Sequence, residues 1–339
     1  MNSSLNKNSQ IQINPVVKWC KGKRHALIMD LSKQRFQQMP LGVVYLLDYL
    51  SGKPKNITQI QNMFQKQREQ VSSYVDYLIE NGWITTSSDK NQDRHEESST
   101  STHRVIQSLY VKLDGQTSLE WLSRIIVGLR KHNVVKNLIF VISEQSDLER
   151  LSYLDAIDTT STLGFQSIGL FITANDYYLE SHRALFSNIE LIICDSDFKE
   201  RYLSKNTEDE SYKIIELSDI LDVSVNRFTC DFFSYQKCVD GSKGMESLYI
   251  DLNKNVYPHP LESSYKLGQA HTIEQLETTL KSSKANIYQK VSKNKVAKCR
   301  DCEYRFVCQN PVWSRSDRED LYSEPTNCNY NPIKGRWIN

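Results

Sequence analysis

Cys299, Cys302, Cys308 and Cys328 follow the pattern C-x2-C-x5-C-x19-C, so 4 of the chain's 8 cysteines lie beyond residue 298 of 339. A C-x2-C pair can turn both sulfurs toward one centre, and two later thiolates close a four-sulfur shell. Thiolates are soft donors and select zinc or an iron–sulfur cluster over hard cations. The spacing leaves zinc and iron–sulfur both open. Cys20 and Cys194 stand alone and read as buried thiols without chemistry. No nucleotide-binding G-x4-G-K-[ST] or G-x-G-x-x-G and no nucleophile elbow G-x-S-x-G occurs, and 12 glycines leave little from which to build a phosphate cradle.

The composition supports a metal over a disulfide. The start, "MNSSLNKNSQ", has no apolar core, and the longest apolar runs, "NLIFVI" and "IELIIC", are of strand length. Together these predict a cytoplasmic chain with no membrane span and with reduced thiols, where clustered cysteines bind metal. A formal net charge of +1 leaves no electrostatic footprint for nucleic acid. Hydrophobic residues at 39% suffice for folded cores with some linker.

The elements that must position the cysteines fall into four stretches. Residues 1–15 are polar and read as frayed. Residues 16–85 read as three strands (16–19, 26–30 and 36–39) and then three helices, a compact module able to fold alone. Pro40 opens the first helix, and Thr58 to Gln61 form a capping box for the second. The third carries Val71, Val75, Leu78 and Ile79 on one face and stops at Gly82, with Trp83–Thr85 as an extended end. Residues 86–104 contain no large apolar side chain and read as a flexible linker. From 105 to 231, apolar strands alternate with helices at 118–131, in "DLERLSYLDAI" and near 178–186. That order predicts a parallel sheet with crossover helices, too short to close an eight-stranded barrel. Residues 232–339 are irregular, with a hairpin turning at Asn253–Lys254–Asn255 and a helix over 272–280.

"CRDCEYRFVC", "LYSEPTNCNYNP" and the final "KGRW" resemble the SPASM domain, the auxiliary-cluster extension of peptide-modifying radical S-adenosylmethionine proteins. More narrowly they are similar to the SPASM-domain peptide maturase of grasp-with-spasm systems, which make ribosomal peptides with an ATP-grasp ligase. The likeness implies one [4Fe-4S] cluster on Cys299, Cys302, Cys308 and Cys328, with zinc as the alternative. A second family cluster would need further cysteines. Cys230 or Cys238 could lead it, but His259 in "VYPHP" and Val312 stand at two of its positions, so the resemblance implies a single centre. His259 then reads as an exposed loop residue. The family's catalytic C-x3-C-x2-C loop would follow the first barrel strand, "SLYVKL", where "DGQTSLEW" has no cysteine. The expected fold is therefore α/β: a winged-helix-like module similar to the PqqD-like peptide-recognition element, a partial (β/α) barrel lacking the radical loop, and a SPASM-like domain.

In such a module a precursor's leader peptide can add as a strand to a sheet edge. That edge would be Arg35, Phe36, Gln37, Gln38 and Met39, with Tyr74, Val75 and Leu78 as groove wall. The expectation is an accessory maturation protein, not catalytic on its own, that holds the leader and scaffolds modification by an ATP-grasp partner. Two other classes stand beside it: a redox enzyme that uses the single cluster on a peptide, and a winged-helix transcriptional regulator.

Overall fold

The computed structural model describes residues 9–86, 106–112, 119–132, 135–143, 165, 167–172, 191–194, 199–200, 213–218, 228–240, 246–310, 315–317 and 319–338. The expected linker at 86–104 lies almost wholly outside them, as do the helices expected in "DLERLSYLDAI" and near 178–186.

β1 (Gln10–Ile13), β2 (Val17–Lys21), β3 (His25–Asp30) and β4 (Arg35–Pro40) come first. The antiparallel sheet β2–β3–β4 pairs Val17 with Asp30 and Asp30 with Arg35. β3 is buried at every position after His25, unlike a strand with one wet face. Ala26 and Ile28 enter a core with α1 (Leu41–Ser51) and α3 (Arg68–Glu80), whereas Leu27 and Met29 face the opposite way. β5 (Lys55–Asn56) and α2 (Ile57–Met63) lie between those helices, and β6 (Ile84–Thr86) follows them.

Two expectations are corrected here. The segment read as frayed contains β1, which pairs with both β5 and β6 and buries Ile11 at 1% exposure. α2 starts earlier than expected. Asn56, not Thr58, caps it: its Oδ1 accepts from the Gln59 N–H at 2.8 Å, and Gln59 Oε1 accepts from the Asn56 N–H at 3.0 Å.

The second sheet makes the molecule a mixed α/β protein with a large central sheet. β7 (Ser108–Lys112), β8 (Asn137–Ile142), β9 (Ser167–Ile172), β10 (Leu191–Cys194) and β11 (Lys213–Glu216) lie side by side and parallel. After α5 (Phe232–Asp240), β12 (Ser247–Ile250) adds parallel to β7. The chain then reverses through Lys254, at φ 59°, into antiparallel β13 (Asn255–Tyr257) and β14 (Gly268–Gln269). The eight-stranded order, β11-β10-β9-β8-β7-β12-β13-β14, is open at both ends among the described residues.

Alternation along these strands divides the core. Leu109, Val111, Leu138 and Phe140 pack with α4 (Leu119–His132), α6 (Ile273–Lys281) and α7 (Ser283–Gln289). Tyr110, Ile139, Val141, Phe171, Ile193 and Tyr249 form a second cluster on the other face. Thr272 caps α6, its Oγ1 accepting from the Gln275 N–H at 3.3 Å, as the expected helix start requires. α7 was not expected. No helix among the described residues is long and apolar enough to cross a membrane.

The tail folds back onto the first sheet. Cys20, Leu27, Met29 and Leu31 share one apolar cluster with Cys230, Cys238, Tyr304, Phe306, Val307 and Tyr330. Short hairpin strands β15 (Tyr330–Asn331) and β16 (Arg336–Trp337) close it. β2–β3–β4 is therefore the middle layer of a sandwich, with helices on one face and the cysteine tail on the other.

Candidate functional site

Two single-turn 3-10 helices, Cys299–Asp301 and Glu303–Phe306, shape the cysteine loop. The Cys302 N–H bonds to Cys299 O at 2.9 Å, and the Cys308 N–H to Tyr304 O at 2.9 Å. Lys298, at φ 64°, turns the chain into the first of these helices. Cys299, Cys302, Cys308 and Cys328 all line one cavity, and none forms a disulfide. Burial pushes the Cys299 thiol up to about 12 and also raises Cys302 and Cys328. Any metal must therefore displace protons from these sulfurs as it binds. As placed, no three His, Cys, Asp or Glu side chains among the described residues are disposed to hold a single ion. The four sulfurs share a space without forming a one-ion nest.

Cationic groups grip the backbone of this loop. Lys293, 6% exposed, donates from Nζ to Cys308 O at 2.5 Å. Lys298 Nζ donates to Cys328 O, and Arg305 Nη1 donates to Cys302 O at 2.8 Å. Burial works against the Lys293 ammonium, but the Cys308, Cys238 and Cys299 sulfurs outweigh it and hold its pKa above the ordinary lysine value. Asn310 lines the same cavity, gives its backbone N–H to Cys308 Sγ at 3.4 Å, and buries a side-chain amide that has no partner among the described residues. The donor set and this orphaned amide fit an anionic centre seated among the sulfurs.

The loop is bolted to the first sheet. Glu303, next to Cys302, is fully buried, and its Oε1 accepts from Gln38 Nε2 at 2.8 Å and from the Tyr330 hydroxyl. His25 Nδ1 faces the same oxygen at 3.4 Å. Burial and the Glu303 carboxylate push the Tyr330 phenol up, which keeps it a donor. Only glycine fits at position 22, where a Cβ would stand 2.6 Å from Glu303 Oε2 and 2.7 Å from its backbone nitrogen. The Lys23 N–H reaches Asp301 O at 2.7 Å, and Arg305 Nη1 reaches Lys21 O at 2.9 Å.

The peptide-edge residues divide. Among the described residues β4 pairs only with β3, so its outer edge has no strand partner. Arg35 is engaged by its own module: it lies 4.3 Å over the Trp83 ring, stands 3.6 Å from the buried Asp30 carboxylate and donates to Asn81 O. Phe36 packs on Phe228 and Tyr304, ring centroids 6.0 and 6.4 Å away, and Gln38 bonds Glu303. Gln37 is half-buried and Met39 is 6% exposed. Val75 and Leu78, expected as groove wall, are a correction: both are 0% exposed in the module core and offer a peptide no surface. Tyr74 is half-buried on the same helix, its hydroxyl accepting from Gln70 Nε2 at 2.9 Å.

His259 is also corrected. It is 7% exposed rather than an open loop residue, with its ring 5.2 Å from Tyr110 and Nδ1 accepting from the Leu261 N–H at 3.2 Å. Burial lowers its pKa to about 3. It does not line the cysteine cavity, and neither do Cys230 and Cys238. The Cys230 thiol donates instead to Arg35 O at 3.3 Å, and burial raises it to about 12. Cys20 and Cys194 are buried, as expected. Val312 lies outside the described residues. Sequence reasoning missed Lys293, Arg305, Asn310 and Glu303. The one available signal was the basic run "KNKVAKCRDCEYRF" around the first cysteines.

No protein-family model matches the sequence, and no curated protein matches it. Among solved structures, Streptococcus suis SuiB bound to S-adenosylmethionine aligns with 94% of this chain and 99% of its own, at 9% identity and a TM-score of 0.35. SuiB bound to the precursor peptide SuiA aligns with 94% of this chain and 100% of its own, at 10% identity and a TM-score of 0.35. The heterocyclase TruD aligns with 48% of this chain and 25% of its own, at 10% identity and a TM-score of 0.21.

Proposed function

We propose that this chain is an accessory protein of a ribosomal-peptide maturation pathway. Its PqqD-like module, residues 16–85, takes up a precursor's leader as a strand along the outer edge of β4. The open parallel sheet of residues 105–231, a degenerate barrel, and the SPASM-like tail, residues 232–339, then present the rest of the peptide to an ATP-grasp ligase. The observation that carries this reading is physical continuity. β4, whose outer edge has no strand partner among the described residues, also places Phe36 and Gln38 against Tyr304 and Glu303, each within two residues of Cys302. A peptide laid along that edge would lie beside the metal-tied tail.

Zinc would draw four sulfurs to about 2.3 Å from a single point. The cavity that all four cysteines line, together with the likeness of their spacing to the SPASM pattern, supports a [4Fe-4S] centre on Cys299, Cys302, Cys308 and Cys328, with zinc as the alternative. Such a centre supplies four sulfur–metal bonds that tie together a loop-rich tail. The chain's own residues do the rest: Arg305 joins the Cys302 loop to β2, and Glu303 joins it to β4.

The test combines two measurements on anaerobically purified full chain. About four irons and four sulfides per chain are expected, together with micromolar binding of a synthetic leader from a short precursor encoded beside this gene. One zinc without sulfide would replace the cluster and leave the peptide reading standing. Leader affinity weaker than about 1 mM would overturn the function.

A further inference from the structure

We propose that Lys293 is the positioning charge of the cysteine centre: its enclosed ammonium balances a negatively charged tetrathiolate and holds Cys308 in place to ligate. The inference rests on the metal reading above and assigns a role to a residue outside the cysteine pattern.

Lysine is almost never fully buried without an opposite charge beside it. Lys293 is buried, yet no carboxylate stands within ion-pair distance of it among the described residues, and its hydrogen bond goes to a neutral carbonyl, Cys308 O, at 2.5 Å. An ammonium kept from water with only a carbonyl for company is strongly disfavoured. The structure must therefore provide negative charge from elsewhere, and the groups around Lys293 that can do so are sulfurs. Four thiolates around one zinc ion, or around an oxidised [4Fe-4S] core, leave about two net negative charges in the cavity that Lys293 also lines.

Lys298 and Arg305 repeat the arrangement on the carbonyls of Cys328 and Cys302, so three of the four ligand residues have a cation on their backbone oxygen. Those two cations are half-exposed and screened by solvent, whereas Lys293 is not. The buried charge is the one that matters to the metal.

Two readings of Lys293 separate cleanly. A simple tie to the Cys308 carbonyl needs a donor but no charge, and glutamine supplies that. Lys293→Gln, Lys293→Met and the charge-keeping Lys293→Arg are compared in the full chain purified anaerobically. The readouts are metal per chain, the rate of metal loss to excess chelator, and the stability of the metal-free chain. Expected are at least tenfold faster metal loss in Lys293→Gln and Lys293→Met, retention near wild type in Lys293→Arg, and a metal-free Lys293→Met chain no less stable than wild type. Loss rates within twofold of wild type for Lys293→Gln overturn the proposal and leave the metal reading intact. So does a metal-free Lys293→Met chain destabilised as much as the loaded one, since that marks lost packing. If Lys293→Met does not fold, the Gln and Arg pair decides alone. A wild-type chain with neither zinc nor iron overturns the metal reading and this proposal together.

Discussion

Replacing Glu303 should cut the tail loose from the first sheet. Its Oε1 receives hydrogen bonds from Gln38 and Tyr330, and each bond to a charged acceptor contributes about 1.5–3 kcal/mol. Their loss in Glu303→Ala sums to roughly 3–6 kcal/mol, partly offset because the mutant no longer buries a carboxylate. A net destabilisation of about 2–4 kcal/mol follows, a large share of a typical domain's 5–15 kcal/mol. The pairwise part is cleaner to measure. Glu303→Ala, Gln38→Ala and the double mutant form a cycle whose coupling energy should be about 1.5–3 kcal/mol. Urea unfolding followed by tryptophan fluorescence reads it, because Trp337 sits 5.1 Å from the Tyr330 ring. Metal content is measured in parallel, since Glu303 adjoins Cys302. A coupling below 0.5 kcal/mol, on the order of the error in such cycles, would refute the clamp.

Gly22→Ala should destabilise by about 1–3 kcal/mol, because two of the three atoms its Cβ would meet are backbone and cannot step aside; an unchanged urea midpoint would contradict this. If the proposed metal centre ties the tail together, Cys302→Ser should lose bound metal and open the tail to limited proteolysis, so a digestion pattern identical to wild type would sink that structural role. His259 has a folded pKa of about 3 against an ordinary 6.5, so stability is complete above 6.5 and falls as pH drops toward 3, because the unfolded chain takes up the proton first. Between pH 6.5 and 5 the loss should approach about 2 kcal/mol in wild type relative to His259→Gln, and parallel pH profiles for the two would remove His259 as the cause. Tyr74→Ala should weaken leader binding by about tenfold, measured on folded protein because the half-buried ring also packs on the module core, and an unchanged titration curve would move the peptide away from this helix.

Much of this was legible from local pattern. "HALIMD", "NLIFVI" and "SIGLFI" announce strands through unbroken apolar runs, and the turn at Lys254 sits between two such segments. The four cysteines stand out because C-x2-C-x5-C-x19-C is a spacing that brings sulfurs together, and the fold does gather all four around one cavity. What failed depended on distant partners. β1 is only four residues, "QIQI", and its alternation becomes a strand because β5 and β6 flank it from more than 40 residues along the chain. Asn56–Gln59 and Thr58–Gln61 both satisfy the capping pattern; the register that buries Ile60 wins. Val75 and Leu78 share a helix face with Tyr74, and sequence could not say that the face turns inward at those two. His259 is buried by Tyr110, a strand 149 residues earlier, and Lys293 by a loop with no spacing rule of its own.

The sandwich around β2–β3–β4 has a consequence for how the chain is made. Leu27, Met29 and Leu31 leave the ribosome early, and the surface that covers them is encoded after residue 227. Until those residues are made, the nascent first module must carry an apolar face open to water, with its helices already able to close the other side. Such a face is prone to association. A fragment ending at residue 86 would keep it permanently exposed and should aggregate or bind chaperones when expressed alone. In the full fold the face is closed by segments roughly 200 to 300 residues further along the chain, so completing the first module depends on contacts of long sequence separation.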